Sequence, residues 1–255
     1  MNLPNWNKLM HLAALGGLFL LVANVQGARA DTLAITSLAP GIQVPTGITT
    51  YYENFDAVAP SGGTLTTNFN GSSVTGTYTG KFAILPADAF GGAGGSNFIS
   101  TSGTHSSYTL SLSQSVNYFG LWFSALDAGN AINFYDGKNL VFAFSPANFV
   151  GLVGNCSTTA NPYCGNPNNG LDTAEQFAYL NFYDPTGTFN KIVFDQDKSA
   201  GQFESDNQAV ATLLSAPGGS GIGATPEPAS LFLLGTGLLG FAGVFRRKLI
   251  GKFIE

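Results

Sequence analysis

The chain has 255 residues, of which 10% are charged, and a formal net charge of −5. Most basic residues sit near the two ends: residues 31–225 hold thirteen acids against four lysines (Lys81, Lys138, Lys191, Lys198), a net of −9, so this body is repelled by nucleic acid and by anionic membrane surfaces. Aromatic residues make up 13% of the chain, too many for a disordered one, and the plentiful Gly, Ser, Thr, Asn and Phe suit strands and turns.

In chain order, Lys8 gives a small positive start, and Leu9–Val25 is an apolar run. Ala28-Arg29-Ala30 then fits the small-x-small pattern of a signal-peptide cleavage site, so residues 1–30 read as a signal peptide and Asp31 as the mature start. Residues 31–215 are about the size of one large all-β domain. Residues 31–46 read as an extended lead-in broken by Pro40 and Pro45. The first strand is expected at Thr49–Phe55, and strands at Thr64–Asn70 and Ser73–Thr79 flank the hairpin signal Asn70-Gly71. Lys81–Leu85 is a short strand that stops at Pro86. The glycine-rich residues 90–97 read as a flexible loop, with no lysine to suit a phosphate-binding one.

Tyr108, Leu110 and Leu112 alternate with Ser107, Thr109, Ser111 and Ser113, the pattern of a half-buried strand. Asn117–Ala125 is nearly all apolar and is expected to be a central strand covered on both faces, with Trp122 in the core rather than a sugar-stacking platform. Residues 127–130 form a turn, and Ala131–Tyr135 and Leu140–Phe144 form a hairpin around Asp136-Gly137. Ser145–Gly151 suits a short helical turn, and residues 166–170 continue a polar surface excursion. Further strands are expected at Phe177–Tyr183, Phe189–Phe194 and Gly201–Leu213, and residues 216–225 read as a Gly/Ala/Ser linker. Many short strands without long helices predict an all-β domain, a β-sandwich of jelly-roll type.

Chemistry is sparse in this body. Cys156 and Cys164 lie in the exported part and suit a disulfide worth about 2–3 kcal/mol, since a metal pair would need further Cys or His nearby. His105 is the one histidine outside the signal segment and sits among serines without a nucleophile-elbow motif. Asp127, Asp136, Asp172 and Asp184 occupy turn positions and read as solvated. No catalytic site is expected, although so many acids leave a paired-carboxylate hydrolase open.

The tail is the most specific stretch. Thr225-Pro226-Glu227-Pro228 leads into residues 229–245, which carry no charge, and Arg246-Arg247-Lys248 follows at once. At 1.5 Å per residue that run spans roughly 25 Å as a helix, near the lower limit for a bilayer, and the basic cluster keeps residues 249–255 cytoplasmic. These three parts, in this order, resemble the PEP-CTERM sorting signal of bacterial exosortase substrates. The resemblance covers residues 225–248 and implies that an exosortase recognises Pro226, Glu227 and Pro228, cleaves nearby and passes the body to the cell surface or its polysaccharide matrix. Residues 118–137 and 201–210 also resemble recurring segments of such surface proteins. The expected role is structural or adhesive within an exopolysaccharide matrix, with a carbohydrate-binding module and a surface glycoside hydrolase as the competing readings.

Many carbohydrate-binding jelly rolls tie the first strand to the last with a structural calcium. Here Glu53 and Asp56 lie at the first expected strand, and Glu204 and Asp206 lie two apart near the last, on one face of an extended chain. Four hard-oxygen ligands from two segments would suit calcium, and ordinary edge carboxylates are the alternative.

Overall fold

The computed structural model describes residues 33–46, 51–58, 63–157, 161–198, 201–218 and 220–222. The signal segment 1–30, the apolar run 229–245 and the tail 249–255 lie outside the described residues. Among the described residues no helix is long and apolar enough to cross a membrane.

Period-two alternation and turn residues set the strands. In β7 (Ser106–Val116) Tyr108 and Leu110 are buried while Ser111 and Ser113 are exposed. The Asp136-Gly137 turn joins β9 (Asn130–Asp136) to β10 (Asn139–Phe144), with Gly137 at φ +59° where a side chain would be strained. β3 (Gly63–Thr67) and β4 (Gly76–Gly80) pair as the Asn70-Gly71 signal requires, but both stop short of it. Phe69 and Asn70 adopt positive φ, so the connection is a longer turn. Two expectations change near the ends of the domain. The lead-in contains a strand, β1 (Ala34–Ser37), and the stretch read as a linker contributes the edge strand β14 (Ser220–Ile222), paired to β1.

The remaining strands are β2 (Tyr51–Glu53), β5 (Phe82–Leu85), β6 (Phe98–Thr101), β8 (Tyr118–Ser124), β11 (Ala178–Tyr183), β12 (Phe189–Gln196) and β13 (Glu204–Ala211). One antiparallel sheet runs β14-β1-β11-β8-β13-β6-β5, with β2 also paired to β13, and the other runs β10-β9-β12-β7-β4-β3. From β6 to β13 every connection crosses between the sheets except the β9–β10 hairpin. Such alternation is the strand order of a jelly roll. It also puts the β6–β7, β8–β9, β10–β11 and β12–β13 loops at one end of the domain. The chain leaves β14 at the other end, because Ser220 pairs with Ser37 and Ile222 with Ile35, while Ala34 pairs with Tyr183 at the far end of β11.

Asn117 alone separates β7 from β8. Its amide donates to the Leu213 carbonyl (2.8 Å), and its side-chain oxygen accepts from the Leu213 amide (2.7 Å), which pins the crossing. All seven residues of β8 are buried. Phe119, Leu121 and Phe123 fill the space between the sheets with Phe134, Phe182, Phe194 and Phe203. Tyr108 stacks on Phe194 at 4.5 Å, a contact class worth about 0.5–1.5 kcal/mol beyond the area it buries.

The other face of β8 is covered by loops. Trp122, 1% exposed, packs with Leu38, Ala93, Ala125, Phe177 and Tyr179, so its role is packing. Ala93 belongs to the glycine-rich loop, which lies folded across this face rather than free. A Cβ at Gly91 would sit 2.5 Å from the Phe98 ring, and one at Gly92 would sit 2.4 Å from the Ala87 methyl. Between β10 and β11, the helix α1 (Pro146–Val153) begins with Pro146 after Ser145, whose amide donates to Asn148 Oδ1 at 3.0 Å. A disulfide joins Cys156 to Cys164, with Cα atoms 5.6 Å apart.

Candidate functional site

At the end where the four sheet-crossing loops meet lies a cleft of about 580 Å³. Leu85 and Phe90 form apolar walls, and Asp88, Asp127, Glu175 and Glu204 supply the ionisable groups. Among the described residues no lysine, arginine or histidine lines it. Each acid comes from a different part of the chain, so the fold alone gathers them.

Local hydrogen bonding explains the positions. Asp88 Oδ1 accepts from the amides of Phe90 (2.8 Å) and Gly91 (3.0 Å), closing an Asx turn. The asparagines of the polar excursion hold that turn in place. Asn169 donates to the Asp88 carbonyl at 2.8 Å, Asn168 to the Gly92 carbonyl at 2.8 Å, and buried Asn166 to the Ala89 carbonyl at 3.3 Å. Asp127 Oδ2 accepts from the Gln202 amide at 2.9 Å. Gly201, at φ +87°, makes room for this, since a Cβ there would fall 1.8 Å from the same oxygen. Asn130 locks the two loops together by accepting from the Asp127 amide (2.7 Å) and donating to the Gln202 carbonyl (2.7 Å).

Glu204 opens β13 opposite Ser124 and is 6% exposed. Its Oε2 is buried and has no hydrogen-bond partner among the described residues. Burial, with the charges of Asp127, Glu175 and Asp88, pushes its carboxyl up to about 9. Glu175 is pushed up to about 8 by burial first, then by its hydrogen bond and repulsion with Asp172. Burial also raises Asp127 and Asp172; the Gln202 amide opposes it at the first, and the hydrogen bond with Glu175 at the second. At neutral pH Glu204 and Glu175 therefore hold protons, while the cleft stays acidic.

The four carboxylates considered for calcium do not form one set. The reason is register: β2 pairs with β13 so that Glu53 stands opposite Gln208, past both acids of β13. Glu53 accepts from the Phe55 amide (2.7 Å) and from the Thr67 hydroxyl. Asp56 accepts from the Asn97 amide (3.0 Å) and the Asn54 side chain (3.0 Å). Asp206 is fully buried, and its oxygens accept from Ala93 N (2.9 Å), Ser96 Oγ (2.7 Å) and Asn207 N (2.6 Å). Burial pushes Asp206 up to about 7 against the pull of those three donors. Among the described residues no three His, Cys, Asp or Glu side chains are placed to hold a metal ion together.

The turn acids also differ from their reading as solvated groups. Asp136 is exposed, but Asp127 and Asp172 are half-buried and Asp184 is fully buried, capping the amides of Thr186 (3.0 Å) and Gly187 (2.7 Å). His105 is exposed at a positive φ of 47°. Pro226, Glu227, Pro228, Arg246, Arg247 and Lys248 lie outside the described residues.

The described body is thus an all-β domain of two antiparallel sheets with an acidic cleft at one end. Beyond it, residues 224–248 match the family model of the PEP-CTERM protein-sorting motif. The chain thus carries a PEP-CTERM sorting motif, which supports export and sorting by an exosortase. Comparison with characterised proteins and with solved structures finds no match.

Proposed function

We propose that this protein is a non-catalytic component of the exopolysaccharide matrix, released there or held at the cell surface after exosortase processing of a membrane-anchored precursor. The observation that carries the reading is the order along the chain: the last strand ends at Ile222 and the sorting motif begins at residue 224. A folded exported domain followed directly by a processing signal suits a protein delivered for its body. A carbohydrate-binding role is the second reading, favoured by the acid-lined cleft.

Replacing Pro226-Glu227-Pro228 by alanines tests the first reading in a host with an exosortase. The expected result is wild-type protein in the matrix fraction lacking residues 229–255, and variant protein retained in the membrane with its C-terminus intact by mass spectrometry. Wild-type protein that keeps residues 229–255 at the cell surface would sink it.

A further inference from the structure

We propose that the acidic cleft binds a glycan carrying free amino groups, its ammonium ions seated among Asp88, Asp127, Glu175 and Glu204; this rests on the matrix role proposed above. The unpartnered Oε2 of Glu204 is the first support. A buried carboxyl oxygen without a donor carries a desolvation cost that a ligand N–H would relieve. The second support is sign. The ionisable groups lining the cleft are all acids, and the nearby Lys198 is turned to Asp197, 3.6 Å away.

The third support is spacing. The acids enter from four separate segments, and among the described residues no three of them are placed to hold one metal ion, which leaves the cleft to a more extended cation. A volume of about 580 Å³ falls in the range of organic-ligand sites. The fourth is the wall chemistry. Phe90 is 50% exposed at the cleft and offers a ring face to an ammonium or a sugar, and Thr104 and Gln202 offer hydrogen bonds to hydroxyls. An amino sugar presents ammonium, hydroxyls and an apolar ring face together, which a simple polyamine does not.

Binding must displace protons. Below neutral pH Glu204 and Glu175 are protonated, and an ammonium beside them favours their ionised forms. The groups facing them are Asp88, Asp127 and Asp172, all acids.

The test is isothermal titration calorimetry on the full-length protein in detergent micelles, at pH 6 and in two buffers of different ionisation enthalpy. The probes are a deacetylated glucosamine tetramer, its fully N-acetylated counterpart and spermidine. The deacetylated tetramer should bind with proton release, and the other two at least tenfold more weakly. Glu204→Gln keeps the shape of a protonated glutamate and should weaken binding about thirtyfold, with less proton release. Glu175→Gln is a second variant, expected to act in the same direction. Equal binding of the N-acetylated tetramer or of spermidine would overturn the proposal, as would an unchanged Kd in both variants. Protein that still fractionates with the matrix while the deacetylated tetramer fails to bind would sink this inference and leave the matrix role standing.

Discussion

Glu204 should make the domain lose stability as pH rises through the neutral range. Its carboxyl is raised from the ordinary 4.5 to about 9, so the folded state holds the proton more tightly than the unfolded chain does. The contribution is fully present below pH 4.5 and is lost progressively as pH climbs toward 9. Each pH unit inside that window costs about 1.4 kcal/mol for one such group. Between pH 5 and pH 7 Glu204 alone therefore removes about 2–3 kcal/mol. For a domain near this size that is a fall of about 5–10 °C in Tm. Asp206 adds in the same sense up to its own value of about 7, and half-exposed Glu175 adds less because solvent screens it. Thermal melts of wild type and Glu204→Gln across pH 5–7 make the comparison. Glutamine does not titrate, so the variant should keep only the shallower slope set by the other raised carboxyls, Asp206 and Glu175 among them. A wild-type Tm that does not fall over this range, or a variant with the wild-type slope, would refute the reasoning.

Two further outcomes follow from single residues. Asp206→Ala leaves the Ala93 and Asn207 amides without their buried acceptor; an expected loss of about 2–4 kcal/mol, the same in calcium and in chelator, is read from chemical denaturation. A loss that appears only in calcium would restore Asp206 as a metal ligand. Gly201→Ala places a methyl against Asp127 Oδ2 at a left-handed φ; about 1–3 kcal/mol should be lost, checked by the same denaturation, and an unchanged midpoint would contradict the packing described.

Local signals carried much of the fold. The alternation around Tyr108, the apolar run through Trp122 and the Asp136-Gly137 turn each act over a few residues, and each produced the strand or hairpin its chemistry specifies. β1 and β14 were illegible for the opposite reason: they are four and three residues long, too short for a period to stand out, and their place is set by backbone pairing of β1 with both β11 and β14. The cleft was half visible. The two-residue spacing of Glu204 and Asp206 does put both on the outer face of β13. Their neighbours, however, are fixed by loop crossings and by strand register, and Asn207 at φ +47° adds a bulge that no propensity announces. Asp127 sits at a turn, as its type suggests, but only the arrival of Gly201 and Gln202 converts that turn into a cleft wall.

The exit of the chain from β14 sets a handle. The last described residue, Ile222, pairs with Ile35 and heads away from the loops that carry the cleft. A pull applied through Ile222 therefore enters the domain at the end away from the β8–β9 and β12–β13 loops. The grip is also short, since only three residue pairs join β14 to β1. Steady pull on the C-terminal side loads those pairs and the packing of β14 against α1 before it reaches the pairing of β1 with β11.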